Sequence, residues 1–287
     1  MSAHQQDKLR LLVVEGNAKA GRQAAHDAGE VTQSELFVAT LRRLRPAAVI
    51  EVVCPTEAEN QLPAGAQLED YDGIVWTGSA LNVYDRTPEI ERQVQLMRQC
   101  FERRTRMFGS CWGLQIAAVA TGGDVQVNDK GRELGVARQI RLTAEGRAHP
   151  MYAGKSDCFD AVAIHLDHIT VPPEGCRVLA ANAMSAIQAA EIRRGEAVFW
   201  GVQYHPEFDL AYIAKLMRRY KKMMVREGFC RDEAAAISLA DDWALAAGDP
   251  ARKDLCWRYG LGGDVLDPSR RLAEIDNWLG EIARERS

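Results

Sequence analysis

The chain has 287 residues, 47% of them hydrophobic and 26% charged, with a formal net charge of −4. That is the balance of an ordinary globular protein, long enough for one large domain or a domain with an appendage at roughly 150 residues per domain. It gives no electrostatic reason to expect nucleic acid or an anionic membrane as partner. No apolar run approaches the roughly 18 residues of a membrane span, and the N-terminal MSAHQQDKLRLLVVEG lacks the small-residue cleavage site of a signal peptide. Seven cysteines without CxxC spacing imply free thiols and a reducing compartment, so a cytoplasmic protein is expected.

In chain order, LRLLVV (9–14), AVIEVV (48–53) and YDGIVWTG (71–78) are short runs rich in branched residues and read as strands. Between the first two, Leu36, Val38, Leu41 and Leu44 fall at helical spacing. Residues 88–104 carry Ile90, Val94, Met97 and Phe101 in steps of three and four, with Pro88 suited to a first helical turn. TRMFG then reads as another buried strand. Strands alternating with helices of this length predict βαβ units, hence a mostly parallel sheet covered on both faces.

The middle of the chain changes character. RQIRLT, DAVAIH, RVLAAN, AIQAAEI and AVFWGVQYH are close-spaced strands separated by turns such as VPPEG and RRGE. Residues 210–228 read as one amphipathic helix with Ile213, Leu216, Met217 and Tyr220 inward, and the charge run RRYKKMMVRE as its solvated face. From 229 the pattern is helical only. Asp267 is the expected N-cap of a last helix, with Pro268 at its first position and Leu272, Ile275, Leu279 and Ile282 as one stripe. The reading divides the chain into residues 1–228 and a helical extension over 229–287.

MFGSCWGLQIAAVATGG (107–123) places Cys111 between Gly109 and Gly113, where a strand turns into a helix. Glycines suit so tight a bend, and the arrangement is the cysteine version of a nucleophile elbow. It lifts the sulfur to the carboxyl edge of the sheet, where open α/β sheets bind ligands, and sets it at a helix N-terminus. The alternative is a small core cysteine, the usual fate of a free thiol. A thiol nucleophile needs a base and a group to orient it. GVQYHPEF (201–208) supplies His205 at a strand end and Glu207 two positions on, on the same side of an extended backbone. The carboxylate would hold the imidazole tautomer and stabilise the imidazolium.

GSCWGLQ and GVQYHPEF resemble the nucleophile and His/Glu motifs of the class I, triad-type glutamine amidotransferases, to which the glutaminase domain of GMP synthetase is closely related. The resemblance covers about residues 9–225. It implies catalytic Cys111, His205 and Glu207 on a flavodoxin-like open sheet with helices on both faces, here with a C-terminal helical extension. WTGSALNVYD resembles the family's oxyanion loop and puts Gly78 where a backbone N–H faces the substrate carbonyl, with the Trp112 N–H as second donor. AIHLDHITVPPEGCRVLAAN and RELGVARQI resemble the segments lining the glutamine pocket, which places His165 and Asp167 there and Gln115 against the bound glutamine. No metal and no cofactor are implied.

The function expected is hydrolysis of the glutamine side-chain amide through a cysteine thioester, giving glutamate and ammonia for a separate synthase subunit. About 60 residues of helical tail are too few for a synthetase domain of its own. With Trp243, Trp257 and Trp278 they are expected to cap the core or to form a homodimer or partner interface. The alternative is a γ-glutamyl hydrolase or peptidase acting on γ-glutamyl amines or peptides, since only the leaving amine changes. A wide pocket mouth around Trp112 and Tyr84 would favour it. A binding module that merely kept the fold would show a missing triad member, and none is missing.

Several features read as inert. His165 and His168 have no third ligand nearby for a metal. His4, His26 and His149 read as surface residues, and the other six cysteines as filling. GLGGDVLDPS (260–269) has neither a preceding strand nor a lysine, and reads as a turn before a helix cap rather than a phosphate loop.

Overall fold

A computed structural model describes residues 8–59, 62–249 and 251–286; His4 lies outside them. The first half builds parallel strands with crossover helices. These are β1 (Arg10–Val14), α1 (Lys19–Asp27), α2 (Gln33–Leu44), β2 (Val49–Val53), β3 (Gly73–Trp76), α3 (Pro88–Phe101), β4 (Arg106–Ser110) and α4 (Trp112–Ala120). The hairpin-rich middle contains β5 (Asp124–Val127), β6 (Glu133–Leu142), α5 (Ala144–Ala148), β7 (Cys158–His165), β8 (Asp167–Val171), β9 (Cys176–Ala181), β10 (Ala189–Arg194) and β11 (Ala197–Val202). The helical end comprises α6 (Leu210–Arg219), α7 (Lys221–Arg226), α8 (Glu233–Gly248), α9 (Lys253–Tyr259), α10 (Gly263–Leu266), α11 (Pro268–Arg271) and α12 (Ala273–Glu285).

Nine strands form one sheet in the order β2-β1-β3-β4-β11-β10-β9-β6-β7, and β5 pairs with β8 in a separate two-stranded ribbon. Strands β2, β1, β3, β4 and β11 run parallel, and β10, β9, β6 and β7 continue the sheet antiparallel. Helices cover both faces, as the alternating pattern predicts. On one face Phe37 and Leu41 of α2 pack with Leu11, Val13, Val75 and Phe108 of the strands. On the other, Ile90, Val94 and Met97 of α3 and Leu114 and Ala117 of α4 pack with Leu12, Ile74 and Trp76. Because parallel strands are buried on both sides, β1 and β3 read as continuous apolar runs rather than alternating ones.

The C-terminal stripe joins the first of these faces. Leu272, Ile275, Leu279 and Ile282 are at most 4% exposed and share the core with Phe108 and Val75. Gly73 on β3 makes room for them: a Cβ there would sit 2.7 Å from both Ile282 and Trp278. Of the tryptophans expected to cap the core or form an interface, Trp278 and Trp243 are 2% and 5% exposed and pack within this chain, whereas Trp257 is 88% exposed.

Three local expectations are corrected. The helix over 210–228 is bent into α6 and α7 at Tyr220, where φ is −96° and ψ 17°, although Tyr220 N–H still reaches Leu216 and Met224 N–H still reaches Tyr220. His149 is buried, not on the surface: its Nε2 lies 3.1 Å from Glu191 Oε2 and its ring is edge-on to Trp200. Cys158 is exposed rather than filling. Among the described residues, no helix is long and apolar enough to cross a membrane.

Candidate active site

Strand β4 ends at Ser110 and α4 starts at Trp112, so the whole reversal falls on Cys111. Its φ of 50° and ψ of −101° lie in a region that non-glycine residues rarely occupy, at a cost of order 1–3 kcal/mol. The Cys111 N–H donates to Val202 O at 2.7 Å, which pins the bend to β11. Both flanking glycines are demanded by packing. A Cβ on Gly109 would lie 2.8 Å from Phe199 Cζ, and one on Gly113 2.8 Å from Trp76 Cβ and 2.9 Å from Trp76 O.

Strand β11 ends at Val202, three residues before the histidine, because the chain then leaves β10: Gln203 N–H still bonds Gln188, but His205 N–H donates to Val162 of β7. His205 and Glu207 therefore meet across a turn closed by Phe208 N–H on His205 O, not along an extended strand. His205 Nδ1 donates to Glu207 Oε1 at 2.7 Å, which leaves Nε2 as the ring nitrogen available to Cys111, whose Sγ lies 3.9 Å from Ile164 O. Phe208 stacks on the imidazole with centroids 3.9 Å apart. Burial works against a charge on His205, but the Glu207 carboxylate and the Cys111 sulfur outweigh it and carry the imidazole up to about 10.

Cys111 and His205 open onto a cavity of about 530 Å³, within the range of small-molecule sites. Gln115, His165 and Asp167 also line it. Gln115 Nε2 donates to Asp167 O at 3.1 Å. His165 bridges Glu133 Oε2 at 2.9 Å and Asp167 O at 3.1 Å, so its two nitrogens serve the fold. Burial pushes the Asp167 carboxyl up, against the hydrogen bond from Tyr84 and the charge of Arg132. Gly78 sits against the histidine: a Cβ there would be 2.8 Å from His205 Cε1 and 2.5 Å from Gln33 Oε1. The Trp112 backbone follows the nucleophile, but its side chain is fully buried and donates Nε1–H to Gln93 Oε1 at 2.8 Å. It does not line the cavity, so it cannot shape the mouth as expected. Tyr84 is spent on Asp167 Oδ1 at 3.2 Å.

The structure adds residues that no motif marks. Gln33 lines the cavity with a buried Oε1 that has no hydrogen-bond partner. Arg132 lines it near Asp167, donating Nε–H and Nη2–H to Glu227 at 2.8 and 3.2 Å. Among the described residues, no group of three metal-ligating side chains is assembled.

The model of the family Glutamine amidotransferase class-I matches residues 30–219. The chain belongs to this family. Within it, the chain is 36% identical over 96% of its own length, and 94% of the relative's, to the gamma-glutamyl-L-1-hydroxyisopropylamide hydrolase of a Pseudomonas species. It is 31% identical to a glutamine-hydrolysing GMP synthase of Lactococcus lactis, over 47% of this chain and only 24% of that longer protein. Gamma-glutamyl peptidase 3 of Arabidopsis thaliana is 25% identical over 61% of the chain and 70% of its own length. The fold matches the crystal structure of a Thermotoga maritima glutamine amidotransferase with a TM-score of 0.65 at 15% identity, covering 96% of this chain and 98% of that one. In this class I amidotransferase the similarity to the hydrolase runs through the C-terminal helices, which the family model's matched region, ending at 219, leaves out.

Proposed function

We propose that the protein hydrolyses γ-glutamyl amides of amines larger than ammonia through a thioester on Cys111. The observation that carries this reading is the likeness, over nearly the whole of both chains, to a hydrolase of one such amide, joined to a Cys111–His205–Glu207 chain opening on a cavity with room beyond an amide nitrogen. Cys111 Sγ attacks the γ-carbonyl carbon, and the N–H groups of Gly78 and Trp112 receive the oxyanion, each such donor being worth about 10²–10³ in rate. The C–N bond breaks as His205 gives its proton to the departing amine. His205 then takes a proton from water, which opens the thioester and releases glutamate. Asp167 and Arg132 suit the α-ammonium and α-carboxylate of the γ-glutamyl head, since they present opposite charges on one wall.

Purified protein given glutamine and γ-glutamyl-alkylamines separately tests this. The expected result is glutamate release from the alkylamides with a higher kcat/KM than from glutamine, lost by at least about a thousandfold in Cys111→Ala. A second reading, glutamine hydrolysis supplying ammonia to a synthase subunit, is favoured by the likeness to GMP synthases. Preference for glutamine, stimulated by a synthase, would establish that reading instead.

A further inference from the structure

The arginines of the cavity differ in how they are neutralised. Arg132 and Arg226 share one carboxylate, Glu227, so this pair keeps a surplus positive charge on the side of Asp167. Arg22 is paired with Glu57, and Arg219 with Glu30, one to one. Arg219 is tied down further. Its Nη1 lies 2.7 Å from Glu30 Oε2, its Nη2 donates to Tyr220 Oη at 2.9 Å, and its guanidinium lies 4.7 Å over the Tyr220 ring. The Glu30 side chain is 2% exposed; burial pushes its carboxyl up, and the charges of Arg219 and, beyond it, Lys215 act against that.

Arg219 lines the cavity, with Glu30 buried behind it, at the end of a chain of contacts that starts at His205. Phe208 stacks on His205, Tyr212 packs on Phe208 at 4.5 Å, and the Tyr212 hydroxyl donates to Val31 O at 3.4 Å. Val31, Leu216 and Met223 supply apolar surface to the same cavity. The amine must leave from the His205 side, because that ring protonates it. There it meets apolar side chains and a guanidinium already neutralised.

We infer that this corner is the leaving-group subsite, that it takes amines with an uncharged, apolar body and no carboxylate, and that Glu30 sets this specificity by occupying Arg219. The inference rests on the γ-glutamyl amide hydrolysis proposed above and narrows its substrate class: γ-glutamyl amides of simple amines are cleaved, and γ-glutamyl amino acids and peptides are excluded. The reaction is otherwise the same, with one C–N bond broken, one water consumed, and glutamate and a free amine released. A carboxylate on the leaving group would be stripped of water beside a guanidinium whose charge Glu30 already offsets, away from the surplus charge of Arg132 and Arg226, which is a specificity made by penalty.

γ-Glutamyl-isopropylamide and γ-glutamyl-alanine test it, because they differ chiefly by a methyl in place of a carboxylate. The native enzyme is expected to favour the isopropylamide in kcat/KM by at least about 100-fold. Glu30→Gln, which keeps the shape and frees the Arg219 charge, is expected to shrink that ratio at least about tenfold, and adding Arg219→Met is expected to restore it. Equal hydrolysis of both substrates by the native enzyme overturns the inference while leaving γ-glutamyl amide hydrolysis standing, and does so even if Glu30→Gln fails to fold. A folded Glu30→Gln with an unchanged ratio overturns the role of Glu30. Cleavage of glutamine with neither amide touched overturns the parent reading and the inference with it.

Discussion

Glu207 Oε1 accepts two hydrogen bonds, from His205 Nδ1 at 2.7 Å and from Ser110 Oγ at 2.8 Å, while Oε2 is buried without a partner. The residue before the nucleophile thus helps to hold the carboxylate that orients the base. Replacing Glu207 by Gln keeps the shape but removes the charge that lifts His205. The expected outcome is a loss in kcat of about 10²–10⁴ and a high-pH limb of the rate profile moved down from near pH 10, read from kcat/KM between pH 6 and 11. The sign for stability follows from the same shift. His205 is held at about 10 in the fold against roughly 6.5 in an unfolded chain, so its stabilising effect is full below about pH 6.5 and is lost as pH rises through about 10. Urea unfolding should show native stability falling over that window, and falling less in Glu207→Gln. Cys111, His205 and Glu207 were legible in the sequence because each sits in a short motif whose glycines or proline announce a bend. Gln33 and Arg132 were not, because tertiary contacts alone bring them to the cavity, nor was Glu30, which lies behind Arg219.

The elbow is an element whose geometry is set by its neighbours in the sheet. Gly113 lies against Trp76 of β3, and α4 could not approach the strand so closely with any side chain there. Gly113→Ala is expected to cost about 1–3 kcal/mol, because the contact is partly with backbone that cannot yield. Gly248→Ala, at the end of α8 where a Cβ meets nothing within 4 Å, serves as the comparison and should shift stability by no more than about 0.5 kcal/mol, both read by urea denaturation. The central parallel strands β1 and β3 were legible for a related reason: buried on both faces, they are continuous apolar runs. The bend at Tyr220 was not, since its hydrogen bonds continue on both sides and neither proline nor glycine marks it. The β5–β8 ribbon also escaped, its strands being short and half exposed.

At the scale of the whole molecule, the helical end is bound to the sheet by both its stripe and a buried charge. Lys155 Nζ donates to Glu274 Oε1 at 2.5 Å, Tyr204 Oη to the same oxygen at 2.6 Å, and Tyr152 and Tyr204 share a hydrogen bond of 2.9 Å. Tyr204 immediately precedes His205, so α12 holds the strand end from which the candidate base emerges. Glu274→Gln leaves Lys155, 4% exposed, without its anion and is expected to cost about 3–5 kcal/mol. The stripe weighs more. Leu272, Ile275, Trp278, Leu279 and Ile282 are all nearly inaccessible, and burying side chains of this kind is worth about 1.5–3 kcal/mol each, a sum comparable with the roughly 5–15 kcal/mol that separates a folded domain from its unfolded chain. Truncation at residue 228 therefore tests whether the sequence's division into a domain and an extension is one of folding. The expected product lacks a cooperative thermal transition and binds a hydrophobic dye, because Gly73 and Phe108 would face solvent across the groove that Trp278 and Ile282 now fill. A truncated chain that melts cooperatively, with its hydrolytic activity intact, would show instead that the sheet and the α6–α7 wall stand without α12.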